Sequence, residues 1–240
     1  MQRYFALKES SKENVVLSAN DIFHISKVMR GKVGDEIQVV IQDKVYLAII
    51  TSFTPLKIEV VKEYQEDSEL PYLTRLFFPL TKMDKIELVI QKATELGIKE
   101  IYIYSSSRTV VKLDDEGFNK KVNRLNMIVK EASEQCHRLV VPSIKGVISF
   151  KDIPLYNNEL NLVAYEADAG KTNKVDELLA NISKGVNFIV GPEGGFSKEE
   201  ISYLCEHDYL RIPLGKRILR CETAAIYLAT LVSYYMEKEK

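Results

Sequence analysis

The strongest constraint on the fold is a change of hydrophobic pattern near residue 70. Between residues 36 and 61, three short β-branched runs follow one another, separated by turn-like or polar residues, with no helical period of useful length. After residue 72, strand-like runs alternate with amphipathic helical patterns. The first pattern predicts a small antiparallel β-domain, and the second predicts an α/β domain with a mainly parallel sheet.

An acidic segment, residues 63–71, lies between the two patterns and closes with a proline. Such segments are typical of exposed linkers between domains. We therefore predict one domain over residues 1–70 and a second over residues 71–240. Ahead of the β-rich region, a short amphipathic helix is expected to end at Gly31, where a C-cap belongs. Four residues would form its apolar side: Ile22, Ile25, Val28 and Met29.

The second domain is predicted to alternate five strands with five helices. The strands are expected at residues 73–80, 99–105, 160–166, 186–191 and 209–215. The helices are expected at residues 84–96, 118–138, 174–182, 197–206 and 222–236. Ser197 and Glu200 have the spacing of a capping box at the start of one helix. In such a sheet, ligands bind at the carboxyl ends of the strands.

Composition excludes several classes of protein. Lys and Arg number 33 against 34 Asp and Glu, so nucleic-acid binding would have to come from local patches. The three cysteines form no CxxC, and the three histidines have no metal-ligand spacing, which argues against disulfides, a zinc site and any resident metal. No stretch approaches the roughly 18 apolar residues of a membrane span, and no leader-like segment is present, so a cytoplasmic protein is expected.

Two glycine-containing loops follow late strands and lead into helices. One has the sequence GPEGGFS at residues 191–197, and the other has LGKRILRCETA at residues 214–224. Glycines after a strand let backbone groups approach a ligand closely, although either loop alone is more often a simple tight turn. Neither loop has the spacing of a dinucleotide-binding fingerprint or a P-loop, which argues against an oxidoreductase or an NTPase.

Two clusters of cations stand out on this nearly neutral chain. Arg211, Lys216, Arg217 and Arg220 precede the first acid, Glu222, in the second loop. His24, Lys27, Arg30 and Lys32 fall within nine residues that contain no acid. Each cluster is either a solvated surface or a binding surface, and RNA phosphate is the natural ligand of the earlier one.

Six motifs together resemble the ribosomal RNA small subunit methyltransferase E family of the SPOUT superfamily. They lie at residues 24–35, 82–101, 106–112, 130–138, 188–200 and 212–225, so the likeness runs nearly from end to end. The ordered pair GPEGG and LGxRILRxETA is the most specific part. Relatives often carry Pro at position 216 and Ser-Glu-Arg at 106–108, where this chain has Lys216 and Ser106-Ser107-Arg108.

The resemblance implies a fold, a reaction and partners. The expected fold is α/β, with a small N-terminal PUA-like RNA-binding β-barrel and a SPOUT methyltransferase domain that carries a C-terminal trefoil knot and forms a homodimer. The expected reaction transfers a methyl group from S-adenosyl-L-methionine to N3 of one decoding-region uridine of 16S rRNA, the U1498-type position. The expected substrate is an assembled or nearly assembled small subunit. No metal or membrane is implied.

The resemblance also assigns residues to roles. The cofactor would lie among nine of them: Glu166, Gly191, Glu193, Gly194, Gly195, Leu214, Gly215, Ile218 and Leu219. We hypothesise that Arg220 stabilises charge that develops on the uracil ring and that Glu193 accepts the N3 proton or orients the base. Glu193 could equally be a helix-start carboxylate that satisfies backbone N–H groups. RNA phosphates would bind Arg3, His24, Lys27, Arg30, Lys32, Lys82 and Arg108.

Two alternatives stay open from the sequence. One is a SPOUT enzyme that methylates a ribose 2′-hydroxyl or another base. The other is a non-catalytic ribosome-assembly factor that binds RNA. The apolar C-terminal helix, with Ala224, Ala225, Leu228, Ala229 and Val232 at helical spacing, is compatible with a dimer interface or with an ordinary core.

Overall fold

The computed structural model of the chain describes residues 1–109, 115–171, 175–180 and 182–238. It divides into two compact units. The first contains residues 1–69 and 130–140, and the second contains residues 70–129 and 141–240.

The first unit contains a four-stranded sheet and one short helix. The elements are β1 (Arg3–Phe5), α1 (Ala19–Phe23), β2 (Glu36–Ile41), β3 (Lys44–Phe53) and β4 (Leu56–Tyr64). The spatial order is β1-β2-β3-β4, with β1 parallel to β2 and the other neighbours antiparallel. Alternate residues of these strands bury a small core, which includes Tyr4, Val39, Ala48 and Ile50. The predicted antiparallel β-domain therefore forms, with β1 as an unpredicted fourth strand.

The expected closed barrel is not what the first unit forms. Its sheet is open, because β1 pairs only with β2 and β4 pairs only with β3 among the described residues. The sequence could not distinguish the two, since strands alternate apolar and polar residues with period two in an open sheet and in a barrel alike.

The predicted apolar side of the short helix is wrong. Ile25 is buried, but Ile22, Val28 and Met29 are exposed. The reason is that α1 continues as a π-helical turn, His24–Val28, in which the Met29 N–H donates to the His24 carbonyl. A π turn widens the period beyond 3.6, so residues spaced by three no longer share one side. The helix ends at Val28 with Met29 as its C-cap, and Arg30 follows with a left-handed φ of 53°, so Gly31 is not the C-cap.

The second unit is the predicted α/β domain with a parallel sheet, and the sheet has six strands, one more than the five predicted. The strands are β5 (Leu73–Pro79), β6 (Glu100–Ser105), β7 (Ser143–Ser149), β8 (Leu160–Ala164), β9 (Gly185–Val190) and β10 (Tyr209–Ile212). The helices are α2 (Met83–Glu95), α3 (Asp115–Gln135), α4 (Val175–Leu179), α5 (Lys198–Glu206) and α6 (Cys221–Lys238). The strand order is β10-β8-β9-β5-β6-β7, and every pairing is parallel.

Apolar stripes on the helices cover this sheet. In α2, Ile86, Val89, Ile90 and Ala93 are buried at helical spacing. The five apolar residues noted on the C-terminal helix are all buried in the core of their own chain. Their helical spacing therefore reflects an ordinary core and not a dimer interface. Ser197 caps α5 and forms the predicted capping box with Glu200, whose N–H lies 3.1 Å from the serine Oγ.

Some predictions fall partly outside the described residues or miss an element. Positions 110–112 of one motif, and positions 174 and 181 of the predicted helix 174–182, are outside them. Strand β7 was not predicted. Short 3-10 helices at Phe150–Tyr156 and Glu166–Asp168 were also missed.

The acidic segment near residue 70 is tied down by ion pairs rather than being a plain exposed linker. Glu66 accepts a hydrogen bond from Nη2 of Arg3 at 2.6 Å. Glu69 accepts one from Nη2 of Arg138 at 2.6 Å and another from the Leu139 N–H at 3.0 Å. Residues 130–140, which the sequence assigned to the second domain, accordingly group with the first unit.

Among the helices of the described residues, none combines the length and the apolar character needed to cross a bilayer.

Candidate active site

A cavity of about 590 Å³ lies in the second unit, where the loops after β8 and β9 meet residues 214–224. Its wall includes nine of the residues assigned by resemblance: Glu166, Gly191, Glu193, Gly194, Gly195, Leu214, Ile218, Leu219 and Arg220. The volume lies within the range of small-molecule and cofactor sites. The position at the carboxyl ends of parallel strands is the one expected for a ligand site in this type of sheet.

Gly215 lies beside this wall and is not part of it. Its carbonyl accepts a hydrogen bond from the Gly170 N–H at 3.0 Å, which joins residues 214–220 to the turn after β8. Its φ of +101° is one that L side chains rarely adopt. Gly215 therefore shapes the second loop.

The GPEGG loop depends on a glycine at position 195. Gly195 has a φ of +66°, and a Cβ there would lie 2.1 Å from Oε1 of Glu166. The missing side chain thus lets the loop after β9 pack directly against the Glu166 carboxylate after β8. This contact brings two of the predicted cofactor-binding residues together.

Arg108 and Ser107 brace the same loop from the segment after β6. Nη1 of Arg108 donates to the Gly194 carbonyl at 2.9 Å and to the Phe196 carbonyl at 3.4 Å. Oγ of Ser107 donates to Glu200 at 2.8 Å. Arg108 was predicted to bind RNA phosphate, but the structure gives part of its guanidinium a different task, which is to hold the GPEGG loop in place.

Glu193 takes part in a network of hydrogen bonds and ion pairs that the sequence did not predict. Its Oε1 accepts hydrogen bonds from the Thr81 hydroxyl and from Nζ of Lys85, the latter at 3.1 Å. The same ammonium lies 3.4 Å from Oε2 of Glu222, and Glu222 accepts a hydrogen bond from Sγ of Cys221 at 3.2 Å. Glu193 is therefore held by side chains, and neither of its predicted roles anticipated these partners.

These contacts set the protonation states on this wall. Burial opposes ionisation of Glu193, but hydrogen bonds from Thr81, from its own backbone N–H and from Lys85 together outweigh burial and hold the pKa of this carboxyl below its usual range. The hydrogen bond to Glu193 raises the pKa of Lys85. Burial, helped by the Glu222 carboxylate, raises the pKa of Cys221 to about 12, so this thiol stays protonated and is no nucleophile near neutral pH.

The 214–220 loop carries its charges differently. Arg217 and Arg220 line the cavity and are exposed, and the ion pairs of the described residues include neither of them. Arg211 does not join them, because its Nε lies 3.1 Å from Oδ2 of the buried Asp168. The cationic cluster read from the sequence is thus one arginine smaller than expected.

Arg3 is not available for RNA. Its side chain is fully buried, and its nitrogens donate to Gln38, to Glu66 and to the backbone carbonyl of His137. The prediction that Arg3 binds phosphate is wrong, because the strand β1 that carries it turns this side chain inward. Its charge supports the first unit.

The other four predicted RNA contacts of the first unit lie together on one segment. Lys27, Arg30 and Lys32 are exposed, and His24 is half-buried with Nδ1 at 2.9 Å from the Tyr4 hydroxyl. None of the three cations has an ion pair among the described residues. The same segment also carries exposed apolar side chains, beside and between the cations: Ile22, Phe23, Val28, Met29 and Val33. We call residues 22–33 the basic-apolar segment.

Lys82 is an exposed residue at the start of α2, three positions before Lys85. Its carbonyl accepts hydrogen bonds from the Lys85 and Ile86 N–H groups, so the backbone fixes its position while the side chain stays free. In the part of the chain that the structure describes, no group of three His, Cys, Asp or Glu side chains is arranged to hold a metal ion.

Comparison with known proteins identifies the family. A family model described as an RNA methyltransferase domain matches residues 68–233. A curated relative from Bacillus subtilis (strain 168), named ribosomal RNA small subunit methyltransferase E, is 34% identical over 252 aligned residues, which cover 99% of this chain and 98% of the relative. The relative of the same name from Mesomycoplasma hyopneumoniae is 31% identical and covers 96% of this chain and 98% of the relative.

Solved structures agree with the sequence matches. A putative methyltransferase from Legionella pneumophila, in complex with S-adenosylmethionine, superposes with a TM-score of 0.87 at 27% identity and covers 98% of this chain and 97% of its own. A ribosomal RNA small subunit methyltransferase E from Neisseria gonorrhoeae, bound to S-adenosylmethionine, gives 0.82 at 28% identity and covers 95% of each chain. The chain therefore belongs to the ribosomal RNA small subunit methyltransferase E family.

Proposed function

We propose that this protein transfers a methyl group from S-adenosylmethionine to N3 of a single decoding-region uridine in 16S rRNA. The observation that carries the proposal is the cavity, whose wall contains both Glu193 and Arg220 together with the two glycine loops. Family membership and the relatives that bind S-adenosylmethionine support the choice of cofactor.

The residues of the cavity fit this cofactor. Leu214, Leu219, Ala164 and Val190 offer an apolar surface for an adenine ring, and Gly191 and Gly194 leave the backbone accessible. The Glu166 carboxylate is a suitable acceptor for ribose hydroxyls. When bound, S-adenosylmethionine supplies an electrophilic methyl group on a positively charged sulfonium.

Charge supports the same fit. Glu193, which lines the cavity, and Glu222, which does not, share one ammonium, Lys85, and the three side chains together carry a net charge of −1. With the Glu166 carboxylate, which also lines the cavity, they provide negative groups for a cationic ligand such as a sulfonium. No metal is required for the proposed reaction.

The proposed reaction makes two demands on the side chains. Uridine N3 carries a proton in its neutral form, so nitrogen can attack only as that proton is lost, and negative charge then develops on O2 and O4. The Arg220 guanidinium, exposed and without an ion pair in the described part of the chain, is the group we assign to that charge. Glu193 is assigned to accept a hydrogen bond from N3–H and so to orient the ring, because a carboxyl with a lowered pKa is a weak base, and the N3 proton passes to solvent water as the methyl group leaves the sulfonium, which becomes a neutral thioether.

RNA would be recognised by the basic-apolar segment, with Lys82 as a further phosphate contact. Its cations suit phosphate, and exposed Phe23 offers a face on which an unpaired base can stack. The target must itself be unpaired or splayed out, since N3 lies on the Watson–Crick edge.

Three further elements of the proposal rest on family membership. They are a PUA-like RNA-binding role for residues 1–70, a trefoil knot within residues 71–240, and a homodimer formed by the knotted domain. The substrate we propose is the assembled or nearly assembled small subunit. Sedimentation that shows a monomer at every concentration would contradict the dimer.

The test is a methyl-transfer assay followed by nucleoside identification. Purified protein is incubated with labelled S-adenosylmethionine and small subunits from a strain that lacks the gene, and the RNA is digested. We expect label in N3-methyluridine alone. Label on a ribose or another base would overturn the proposed target, and tight cofactor binding with no transfer to any RNA would favour a ribosome-assembly factor.

A further inference from the structure

Five side chains from three separate segments meet beside the cavity, and three of them, Lys85, Glu193 and Cys221, line it. Thr81 and Lys85 flank the start of α2, Glu193 lies in the loop after β9, and Cys221 and Glu222 begin α6. We call this group the Lys85 cluster. Lys85 is its centre, because its ammonium is the group that reaches both carboxylates.

The contacts use only one oxygen of Glu193. Thr81 and Lys85 both donate to Oε1, and no side-chain donor of the described residues reaches Oε2. A carboxylate held in this way has a fixed plane, and its second oxygen, which has two lone pairs, can accept from a ligand even though the Glu193 backbone N–H also bonds to this carboxyl. We propose that Lys85 is a positioning residue that fixes Glu193 in its ionised form with Oε2 available to the substrate, a role that rests on the proposed function.

The cluster explains why an ammonium is needed at this position. Glu193 and Glu222 approach the same point, 3.1 Å and 3.4 Å from Nζ of Lys85. Two carboxylates that share a site without a cation repel each other, and one of them then takes up a proton at a higher pH. Lys85 and Glu222 are partly buried, with 21% and 15% of their side chains exposed, whereas Glu193 has 38% exposed, so solvent screens the contact with Glu222 less than the contact with Glu193.

The other side chains near Glu193 do not change the expected direction of its pKa shift. Thr81 donates to it without a charge, and the Cys221 thiol is neutral because its pKa is raised. Glu222 is the remaining anion, and its contact with Lys85 limits its repulsion of Glu193. Removal of the Lys85 charge should therefore raise the pKa of Glu193. As the pH is lowered, methyl transfer that needs the ionised carboxylate should then be lost at a higher pH than in the unmodified protein.

The experiment compares Lys85→Met with Lys85→Arg, which keeps the charge. Lys92→Met is the matched control, since Lys92 lies on the same helix but pairs with Glu95 at 2.8 Å. The first readout needs neither cofactor nor RNA: it is the carboxyl carbon of Glu193, followed by NMR against pH and assigned with Glu193→Gln. The second readout is kcat against pH for methyl transfer to small subunits.

We expect Lys85→Met to move the Glu193 titration and the acidic limb of the kcat profile to higher pH together. Loss of the fixed geometry should also lower kcat roughly tenfold or more at the optimum. Lys85→Arg should restore the pH profile at least in part, and Lys92→Met should match the unmodified protein. If Lys85→Met does not fold, Thr81→Val takes its place, since it removes one donor to the same oxygen and should shift the titration in the same direction.

The inference is overturned if Glu193 titrates at the same pH with and without Lys85, or if its titration moves while the kcat profile does not. Failure of the proposed function looks different. In that case the unmodified protein forms no N3-methyluridine, whereas the NMR comparison still decides whether Lys85 controls Glu193.

Discussion

The two glycine-containing loops that line the cavity hold their charges in opposite ways. On the side of the GPEGG loop, Glu193 and Lys85 are ion-paired and their contacts reach α2 and α6. On the side of the 214–220 loop, Arg217 and Arg220 are exposed, and Ile218 between them has 77% of its side chain exposed. One wall is organised before any ligand binds, and the other presents two arginines that have no ion pair among the described residues.

This difference separates positioning from binding. A paired, partly buried charge has already lost its water, so its geometry is set by folding. An exposed guanidinium keeps its water until a ligand replaces it, and its electrostatic effect grows when the site closes on that ligand. The paired wall should therefore control geometry and pH dependence, whereas the unpaired wall should control how strongly developing charge is stabilised.

The largest expected effect is that of Arg220→Ala. The variant removes the cation assigned to the uracil oxygens, so methyl transfer should fall by about 100-fold or more, as for loss of one oxyanion donor. S-adenosylmethionine affinity, measured by calorimetry, should change little, because the cofactor is assigned to backbone and apolar groups of the cavity.

Lys216→Ala is the control for Arg220→Ala. Lys216 is an exposed cation of the same loop, and it does not line the cavity. Its loss should leave kcat within about twofold. Equal losses in both variants would mean that the loop acts through its overall charge and that Arg220 has no special role.

A second prediction compares one glycine from each loop. Gly195 and Gly215 both have positive φ, +66° and +101°, so alanine at either position should cost about 1–2 kcal/mol in backbone strain. Only at Gly195 would the new Cβ meet a neighbour, 2.1 Å from the Glu166 carboxylate, and at Gly215 it meets nothing within 4 Å. Gly195→Ala should therefore lower the free energy of unfolding, measured by chemical denaturation, more than Gly215→Ala does. It should also weaken S-adenosylmethionine binding at least tenfold.

Backbone strain is common to the two variants, so a difference between them isolates the contact of residue 195 with Glu166. Equal effects of Gly195→Ala and Gly215→Ala on cofactor affinity would show that the contact between Gly195 and Glu166 does not shape the site. A similar loss of stability in both variants, with cofactor affinity reduced only by Gly195→Ala, would still support the assigned contact.

Much of the second unit could be predicted because its signals are local. The α2 stripe repeats at 3.6 residues, Ser197 and Glu200 are three positions apart, and the glycine loops directly follow strand-like runs. Strand β7 was not predicted, because it has no continuous apolar run. Gly146 interrupts it, and its residues are half-exposed at the edge of the sheet.

The charges could not be assigned from the sequence because their partners are distant. Lys85 looks like an ordinary exposed lysine of α2, yet it bonds to a residue 108 positions away. Arg3 looks like a free N-terminal cation, yet its guanidinium reaches a carbonyl 134 positions away. Family resemblance located the cavity residues but did not indicate which cations are paired, since pairing depends on tertiary contacts.

The first unit repeats the contrast between paired and unpaired cations, and this gives a third prediction. Lys27→Ala combined with Arg30→Ala should weaken binding to small-subunit RNA about tenfold and reduce the slope of log affinity against log salt by about 2. Lys44→Ala is the matched control, because Lys44 is an exposed lysine that already pairs with Glu63 at 3.3 Å. An unchanged salt slope in the double variant would remove the basic-apolar segment from the RNA interface.

The smallest expected effect separates stacking from charge within that segment. Phe23 is 61% exposed although it is a large aromatic residue, and loss of one base stacked on such an exposed ring should cost about 1 kcal/mol, the low end of the range for base–aromatic stacking, or roughly fivefold in affinity. Phe23→Ala should therefore weaken RNA binding by about that amount and leave the salt slope unchanged, since no phosphate contact is lost. Val61→Ala, at an exposed apolar residue of β4, should do neither. A lower salt slope in Phe23→Ala would show that the ring acts by holding the neighbouring cations in place, and undiminished affinity would show that the exposed apolar residues serve a partner other than RNA.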